Sequence, residues 1–324
     1  MDQHFTYSAP GRIEISGNHT DHQHGCVLAA AVNLETVADV ELVAENTITV
    51  YSKGYPSFSI DLDDLQAHPE EKNTTIALVR GVAAGFVQRG ATLHGFQMRA
   101  HSSVLPGSGP SSSAAFEVLI GTIINDLFCD GKFSPIEIAQ IAQYAENAFF
   151  GKPCGLMDQI ASSVGGLVFI DFANPAEPVV ERIDFDFVAT NHALGIIDSG
   201  ADHADLTDEY GAIPGELAQI CKWFGKKTLR QVTESGKSSW TYLQNIYPAG
   251  ETELQPAAVA LAMYDTLLQG KGAYRVHGGG FAGTVQAFVS FDMLEDFKQN
   301  IEAVLGMDSC HVLSIRSEGG IRLK

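Results

Sequence analysis

The sequence predicts an α+β protein in two domains, and three observations carry that reading. Segments with strand patterning and segments with helical period succeed one another without strict alternation. A turn-rich break, NPAEP, falls at 174–178. At 324 residues the chain is also longer than the ~150 residues usual for one domain. The expected division is 1–178 and 179–324.

Taken in order, 37–43 and 47–51 are rich in β-branched residues and read as strands, and 58–62 alternates apolar with polar. The spacing predicts a helix over 75–88, with Leu78, Val79, Val82, Ala83 and Phe86 on one stripe. A strand at 96–99 leads into a Gly/Ser loop at 105–113, and helices are expected at 113–128 and 135–149. The second of these opens on Pro135 and stops before Gly151. A strand at 167–171 closes the first half. Beyond the break, strands are expected at 193–198, 285–291 and 310–315, and helices at 209–224, 256–268 and 294–305. There is no repeat of fixed period and no low-complexity tract.

The formal net charge of -19 argues against a nucleic-acid partner or an anionic membrane surface. An anionic ligand would need a local exception, built from oriented N–H groups, a few cations or a metal ion. Five cysteines, none close to another in sequence, form neither a disulfide framework nor a zinc spacing, so free thiols are expected. The N-terminus MDQHFTYSAPGR lacks a signal-peptide pattern, and a cytoplasmic protein is expected.

Four stretches carry chemistry. In LPGSGPSSSAAFEV, 105–118, Gly107 and Gly109 let the backbone approach an anion, with Ser108 between them. Ser111, Ser112 and Ser113 supply hydroxyls and a helix cap. The next helix turns its positive end toward that loop, and no Gly-Lys-Ser/Thr makes it a Walker loop. An ordinary capped helix is the plain alternative.

In PGRIEISGNHTDHQHG, 10–25, Arg12, His19, Asp21, His22 and His24 crowd what reads as a polar turn between strands. A metal site built from His19, His22 and His24 is one rival there, though without the helical H-E-x-x-H spacing. In AENAFFGKPCGLMDQIASSVGG, 145–166, Glu146 near a helix C-terminus hints at a cation, and Asp158 lies among Leu156, Met157 and Ile160. In RVHGGGFAG, 275–283, Gly278, Gly280 and Gly283 match G-x-G-x-x-G. They come late in the chain, without the acidic residue twenty positions on that a dinucleotide site needs.

Together these stretches resemble the galactokinase branch of the GHMP small-molecule kinases. The stretch from Pro10 is similar to APGR…GEHTDY…G, and that from Leu105 to PxGxGLSSSA. The stretch from Ala145 is similar to AE…PCGxMDQ, and that from Arg275 to GGGFGG, all in the family's order. The resemblance implies a two-lobed fold with the active site in the cleft, and ATP-dependent phosphorylation of a free sugar at its anomeric hydroxyl, galactose first. It implies Arg12 and Asp158 as the catalytic pair. ATP would lie on Gly107, Ser108, Gly109, Ser111, Ser112 and Ser113, with Mg2+ on Ser113 and Glu146. Asn18, His19, Asp21, Gly155 and Tyr210 would line the sugar pocket. The partners implied are the sugar and ATP alone, and a monomer is expected.

The chain departs from the family pattern at Asn18, where a Glu is usual, at His22 for Tyr, and at Pro110 for Leu. It is also shorter between Tyr210 and Gly278. Rival readings are a kinase for galacturonate or N-acetylgalactosamine, a non-catalytic sugar- and ATP-binding homologue, and a nicotinamide oxidoreductase.

Overall fold

A computed structural model describes residues 4–17, 19–104, 109–198, 207–232, 256–277 and 284–324. It contains an eight-stranded and a four-stranded sheet, with helices packed on them. The α+β expectation therefore holds.

The first sheet is built on two long antiparallel strands, β1 (His4–Ser16) and β2 (Cys26–Leu42). β1 corrects the reading of 10–25 as a turn, because residues 10–16 are strand and the turn is confined to the residues between β1 and β2. Pro10, Gly11 and Arg12 escape strand patterning because a register shift falls between Pro10 and Arg12. Such a bulge accommodates the Pro-Gly pair and re-aims the side chains beyond it. β3 (Thr47–Ser52) and β4 (Phe58–Asp61) extend one edge through β5 (Phe96–Ser102), and β3 lies parallel to β5. The first half of β2 pairs with β6 (Leu167–Asp171), which pairs with β7 (Val179–Ile183), just past the expected domain boundary at 178.

Four helices cover one face of this sheet: α1 (Thr75–Gln88), α2 (Ser112–Cys129), α3 (Pro135–Ala145) and α4 (Met157–Val164). α1 has the limits the sequence predicts, with Thr74 as its cap accepting from the Ala77 N–H. Ser134 and Glu137 close a capping box on α3. α3 is shorter than expected and continues as a π-helical turn, Glu146–Phe150, ending at Gly151 with φ of 89°. α2 is long and apolar enough to cross a membrane by length and composition, but 61% of it is buried in this lobe, as a core helix requires. Val118, Leu119, Ile123, Phe86, Phe96 and Tyr7 form its main core.

The second sheet has the order β11-β8-β10-β9, all antiparallel: β8 (His192–Asp198), β9 (Gly272–Val276), β10 (Thr284–Ser290) and β11 (Cys310–Leu313). α5 (Thr207–Trp223), α6 (Pro256–Leu268) and α7 (Leu294–Leu305) belong to this half. A core of Tyr264, Leu268, Val285, Phe297 and Ile301 lies beneath the sheet. The chain then returns to the first sheet, where β12 (Ile321–Arg322) pairs with β1. A further core, Ile13, Val32, Leu194, Ile196 and Leu313, joins the two sheets.

Candidate active site

The site forms where three elements of the first lobe meet the end of β9. After its bulge, β1 aims Arg12 and Glu14, two residues apart and so on one face, toward the helix layer. The Arg12 N–H donates to Pro110 O at 3.0 Å, and a side chain at Gly11 would meet that same oxygen at 2.9 Å. The strand and the Gly/Ser loop therefore touch backbone to backbone.

Asp158 sits in the first turn of α4. Arg12 grips it with two bonds, Nε to Oδ1 at 2.7 Å and Nη2 to Oδ2 at 2.6 Å, and donates from Nη1 to Gly109 O at 2.6 Å. Ser111 Oγ adds a bond to Oδ2 at 2.6 Å. Burial would push the Asp158 carboxyl up. The charge and hydrogen bonds of Arg12, helped by His19 and Ser111, outweigh it and hold the group well below the usual carboxylate range.

Ser111 thus differs from expectation. It adopts a left-handed φ of 57° before α2 and turns its hydroxyl to Asp158 instead of capping the helix. The first-turn N–H groups of α2 have no carbonyl partner within the helix by geometry, which suits an anion. Gly107 and Ser108 lie outside the described residues.

A second carboxylate centre lies close by, reached by Gln159, the residue after Asp158 on α4. Glu146, in the π turn, is 4% exposed, which excludes a surface role. Ser113 Oγ lies 3.5 Å from its Oε1, and Lys152 Nζ 3.8 Å from the same oxygen. Glu117, one helical turn beyond Ser113, is fully buried. Gln159 Nε2 bridges the two acids, at 2.9 Å to Glu146 Oε2 and 3.3 Å to Glu117 Oε2.

Burial, then the charge of Glu146, pushes Glu117 well above its ordinary value. Burial also pushes Glu146 up, against the pull of Lys152. Glu117 Oε1 is buried without a hydrogen-bond partner. Two buried acids, a hydroxyl beside them and an orphaned carboxylate oxygen form a hard-oxygen donor set that a magnesium ion fits. Glu117 and Gln159 do not stand out in the sequence. The signal for Glu117 is its i+4 spacing from Ser113 on an otherwise apolar helix.

At the end of β1, Glu14 is fully buried, and its Oε1 accepts from the His19 N–H at 3.0 Å. Its own N–H donates to His277 Nε2 at 3.1 Å, so the ring proton of His277 sits on Nδ1. Burial, then the nearby Arg12 charge, holds His277 neutral. His277 and Arg275, whose Nη1 donates to Ile15 O at 3.0 Å, bring the second lobe onto β1. A Cβ at Gly109 would lie 2.6 Å from both His277 Nδ1 and Thr284 Oγ1, so the fold requires glycine there. Gly278, Gly280 and Gly283 lie outside the described residues.

Of the expected sugar residues, His19 and Asp21 are brought beside this centre. Asp21 is buried, its Oδ2 accepting from the N–H of Met157, the neighbour of Asp158 in sequence, at 3.2 Å. A side chain at Gly155 would overlap Asp21 Oδ2, so glycine lets α4 close on the turn. Asn18 lies outside the described residues, and Tyr210 belongs to α5 with its side chain outside them. Glu14, missed in the sequence, shares the parity of Arg12 on β1.

Residues 77–166 match the GHMP kinases N terminal domain, and residues 1–41 match the galactokinase galactose-binding signature. The fold is that of the GHMP kinases. The structure of Lactococcus lactis galactokinase complexed with galactose matches with a TM-score of 0.80 at 22% identity, over 99% of this chain and 95% of that one. Methanococcus jannaschii mevalonate kinase matches with 0.66 at 13%, over 97% and 98%. Staphylococcus aureus mevalonate diphosphate decarboxylase matches with 0.60 at 9%, over 100% and 99%. At these identities the likeness establishes the fold, and a decarboxylase among the neighbours means that the reaction must be argued from the site. The two models cover three of the four stretches, 10–25, 105–118 and 145–166, and with the fold they bear out the resemblance read there.

Proposed function

We propose that this protein is an ATP-dependent sugar kinase that phosphorylates the anomeric hydroxyl of galactose. The observation that carries the reading is the two-bond Arg12–Asp158 pair, set between the loop entering α2 and the galactose-signature turn. Phosphoryl transfer asks a protein for positioning and charge neutralisation more than for covalent chemistry. The ATP phosphates would lie at the N-terminus of α2, on Gly107–Ser113. Glu146 and Ser113 would hold Mg2+, which when bound neutralises phosphate charge.

Asp158 is too acidic in its Arg12 clamp to strip the sugar hydroxyl in advance. Its role in this reading is to accept a hydrogen bond from that hydroxyl and fix its direction. The proton passes over only as the new O–P bond forms and the bond from the γ-phosphorus to the ADP oxygen breaks. Arg12 keeps Asp158 ionised and faces the transferring group with a fixed positive charge. His19 and Asp21, with Asn18, Gly155 and Tyr210, would receive the sugar.

The buried Glu14 side chain is a second acid beside that turn, which weighs against an acid sugar, galacturonate, as the substrate. The retained Arg12, Asp158 and Glu146 weigh against a non-catalytic homologue. The test is direct: purified protein with ATP, magnesium and galactose should yield ADP and galactose 1-phosphate in equal amounts. A folded protein that yields neither from galactose overturns the reading.

A further inference from the structure

The turn between β1 and β2 carries a cluster that the kinase chemistry does not use as a whole. His19 has a left-handed φ of 53°, a 3-10 turn runs over Thr20–Gln23, and His24 is left-handed again at 59°. This winding gathers one ligand atom from each of His19, Asp21 and His22 within 4.8 Å of one another. His24 does not join them. Its backbone N–H closes the turn onto Asp21 O and Thr20 O.

We infer that His19, Asp21 and His22 form a binding site for a zinc-like transition-metal ion at the mouth of the sugar pocket, and that metal and sugar exclude one another there. Two imidazoles and one carboxylate are a borderline donor set that suits Zn2+, Co2+ or Ni2+ better than Mg2+, which prefers oxygen alone. Tetrahedral zinc with bonds of about 2.0–2.2 Å sets its ligand atoms roughly 3.4 Å apart. The three ligand atoms lie within 4.8 Å of one another, so a tightening of the turn by roughly 1.4 Å brings them to that spacing. Asp21 is already fixed, with Oδ1 accepting from the His22 N–H at 3.0 Å and Oδ2 from the Met157 N–H at 3.2 Å. Each carboxylate oxygen keeps a second lone pair in that arrangement.

A separate observation points to a cation at this place. Glu14 is fully buried, and its Oε2 has no hydrogen-bond partner and lies 3.9 Å from His19 Nε2. A carboxylate behind a ligating histidine orients the ring and raises its affinity for metal. The exclusion comes from sharing: His19 and Asp21 are the residues our functional reading gives to the sugar, and that part of the inference rests on it. His22 is not among the residues that reading gives to the sugar.

The experiment is a titration of chelator-stripped full-length protein with Co2+, read by its visible absorption, and with Zn2+ by competition, without sugar or nucleotide. One equivalent should bind with tetrahedral intensity. His22→Gln should weaken binding by more than about 100-fold, since loss of an outer-shell partner alone costs about 10–100-fold. Glu14→Gln should fall in that outer-shell range, and His24→Gln should bind as wild type.

Absence of binding at millimolar Co2+, or equal binding by wild type and His22→Gln, overturns the site. Loss of binding on His24→Gln overturns this ligand set. Saturating galactose should weaken Co2+ binding at least tenfold, and Zn2+ should raise KM for galactose in wild type but not in His22→Gln. If galactose binds by thermal shift and leaves Co2+ affinity unchanged, the exclusion is wrong. If galactose fails to bind at all, the galactose reading has failed, and the cobalt arms still decide the metal site.

Discussion

Two carboxylate centres meet the start of α2, one through Ser111 and the other through Ser113, and they solve burial in opposite ways. Asp158 brings its own cation: Arg12 fills both oxygens and keeps the acid ionised. Glu117 and Glu146 share the amide of Gln159, with the Ser113 hydroxyl at 3.5 Å and Lys152 at 3.8 Å from Glu146, and burial pushes both toward the protonated form. The first centre is electrostatically complete before any ligand arrives. The second is short of positive charge, and that shortage is what a metal ion in the kinase reading would meet. A pair of acids left unsatisfied in a well-packed lobe is costly, and such sites concentrate where ligands bind.

The sharpest way to break this contrast is at the complete centre. Asp158→Asn should lower kcat by about 100- to 10,000-fold, the range of a lost proton acceptor, while nucleotide binding stays close to wild type. Arg12→Lys should also be poor, because an ammonium cannot reproduce the two-bond grip. Near-normal turnover in either folded variant would remove Arg12 and Asp158 from the chemistry.

The same pair sets a stability test with a defined sign. The folded-state acidity of Asp158 is increased, so its contribution is present above the unfolded carboxylate value of about 3.9 and fades as pH falls below it. Asp158→Asn leaves the Arg12 charge buried and should cost up to about 3 kcal/mol at neutral pH, where a fully buried broken pair would cost somewhat more. The deficit relative to wild type should shrink below about pH 4 in urea melts. A deficit independent of pH would mean that the ion pair is not its source.

At the incomplete centre the effects should be smaller and specific. Glu146→Gln should raise the magnesium concentration for half-maximal rate and leave KM for the sugar unchanged. Glu117→Gln replaces a repelled acid by a neutral isostere and should change stability by no more than about 1 kcal/mol, in the stabilising direction. If Glu117→Gln shifts the magnesium requirement as far as Glu146→Gln does, Glu117 is a ligand of equal weight and its unpartnered Oε1 is the oxygen that meets the ion.

These centres also show what a sequence exposes and what it hides. Helical stripes such as 75–88, 256–268 and 294–305 are read to the residue, because the amphipathic period is long and the caps are local. Arg12, Asp158 and Glu146 are legible because each sits in a recognisable segment. β1 is not, because its bulge at Pro10–Arg12 breaks the alternation that marks a strand. β12 and β9 are short, and their pairing is decided by distant partners. Glu14 and Glu117 are hidden for the same reason: an acid within an apolar run becomes a site only when tertiary packing buries it beside another group.

Glu14 also changes the expectation at position 18. On sequence alone, Asn18 in place of a family Glu implies weaker galactose binding and a lighter penalty on galacturonate, because a neutral amide lacks the charge-assisted bond. The structure puts a carboxylate back at this turn: Glu14 Oε1 holds the His19 N–H, and a Cβ at Gly17 would lie 2.9 Å from the same oxygen. Asn18→Glu would add a second acid next to the first, so its gain in galactose affinity should be under about 1 kcal/mol. Discrimination should instead track Glu14. In a competition assay between galactose and galacturonate, Glu14→Gln should narrow the preference several-fold, and Asn18→Glu should change it less. If Asn18→Glu excludes galacturonate while Glu14→Gln leaves the ratio untouched, then position 18 reads the sugar, and Glu14 serves only to hold His19.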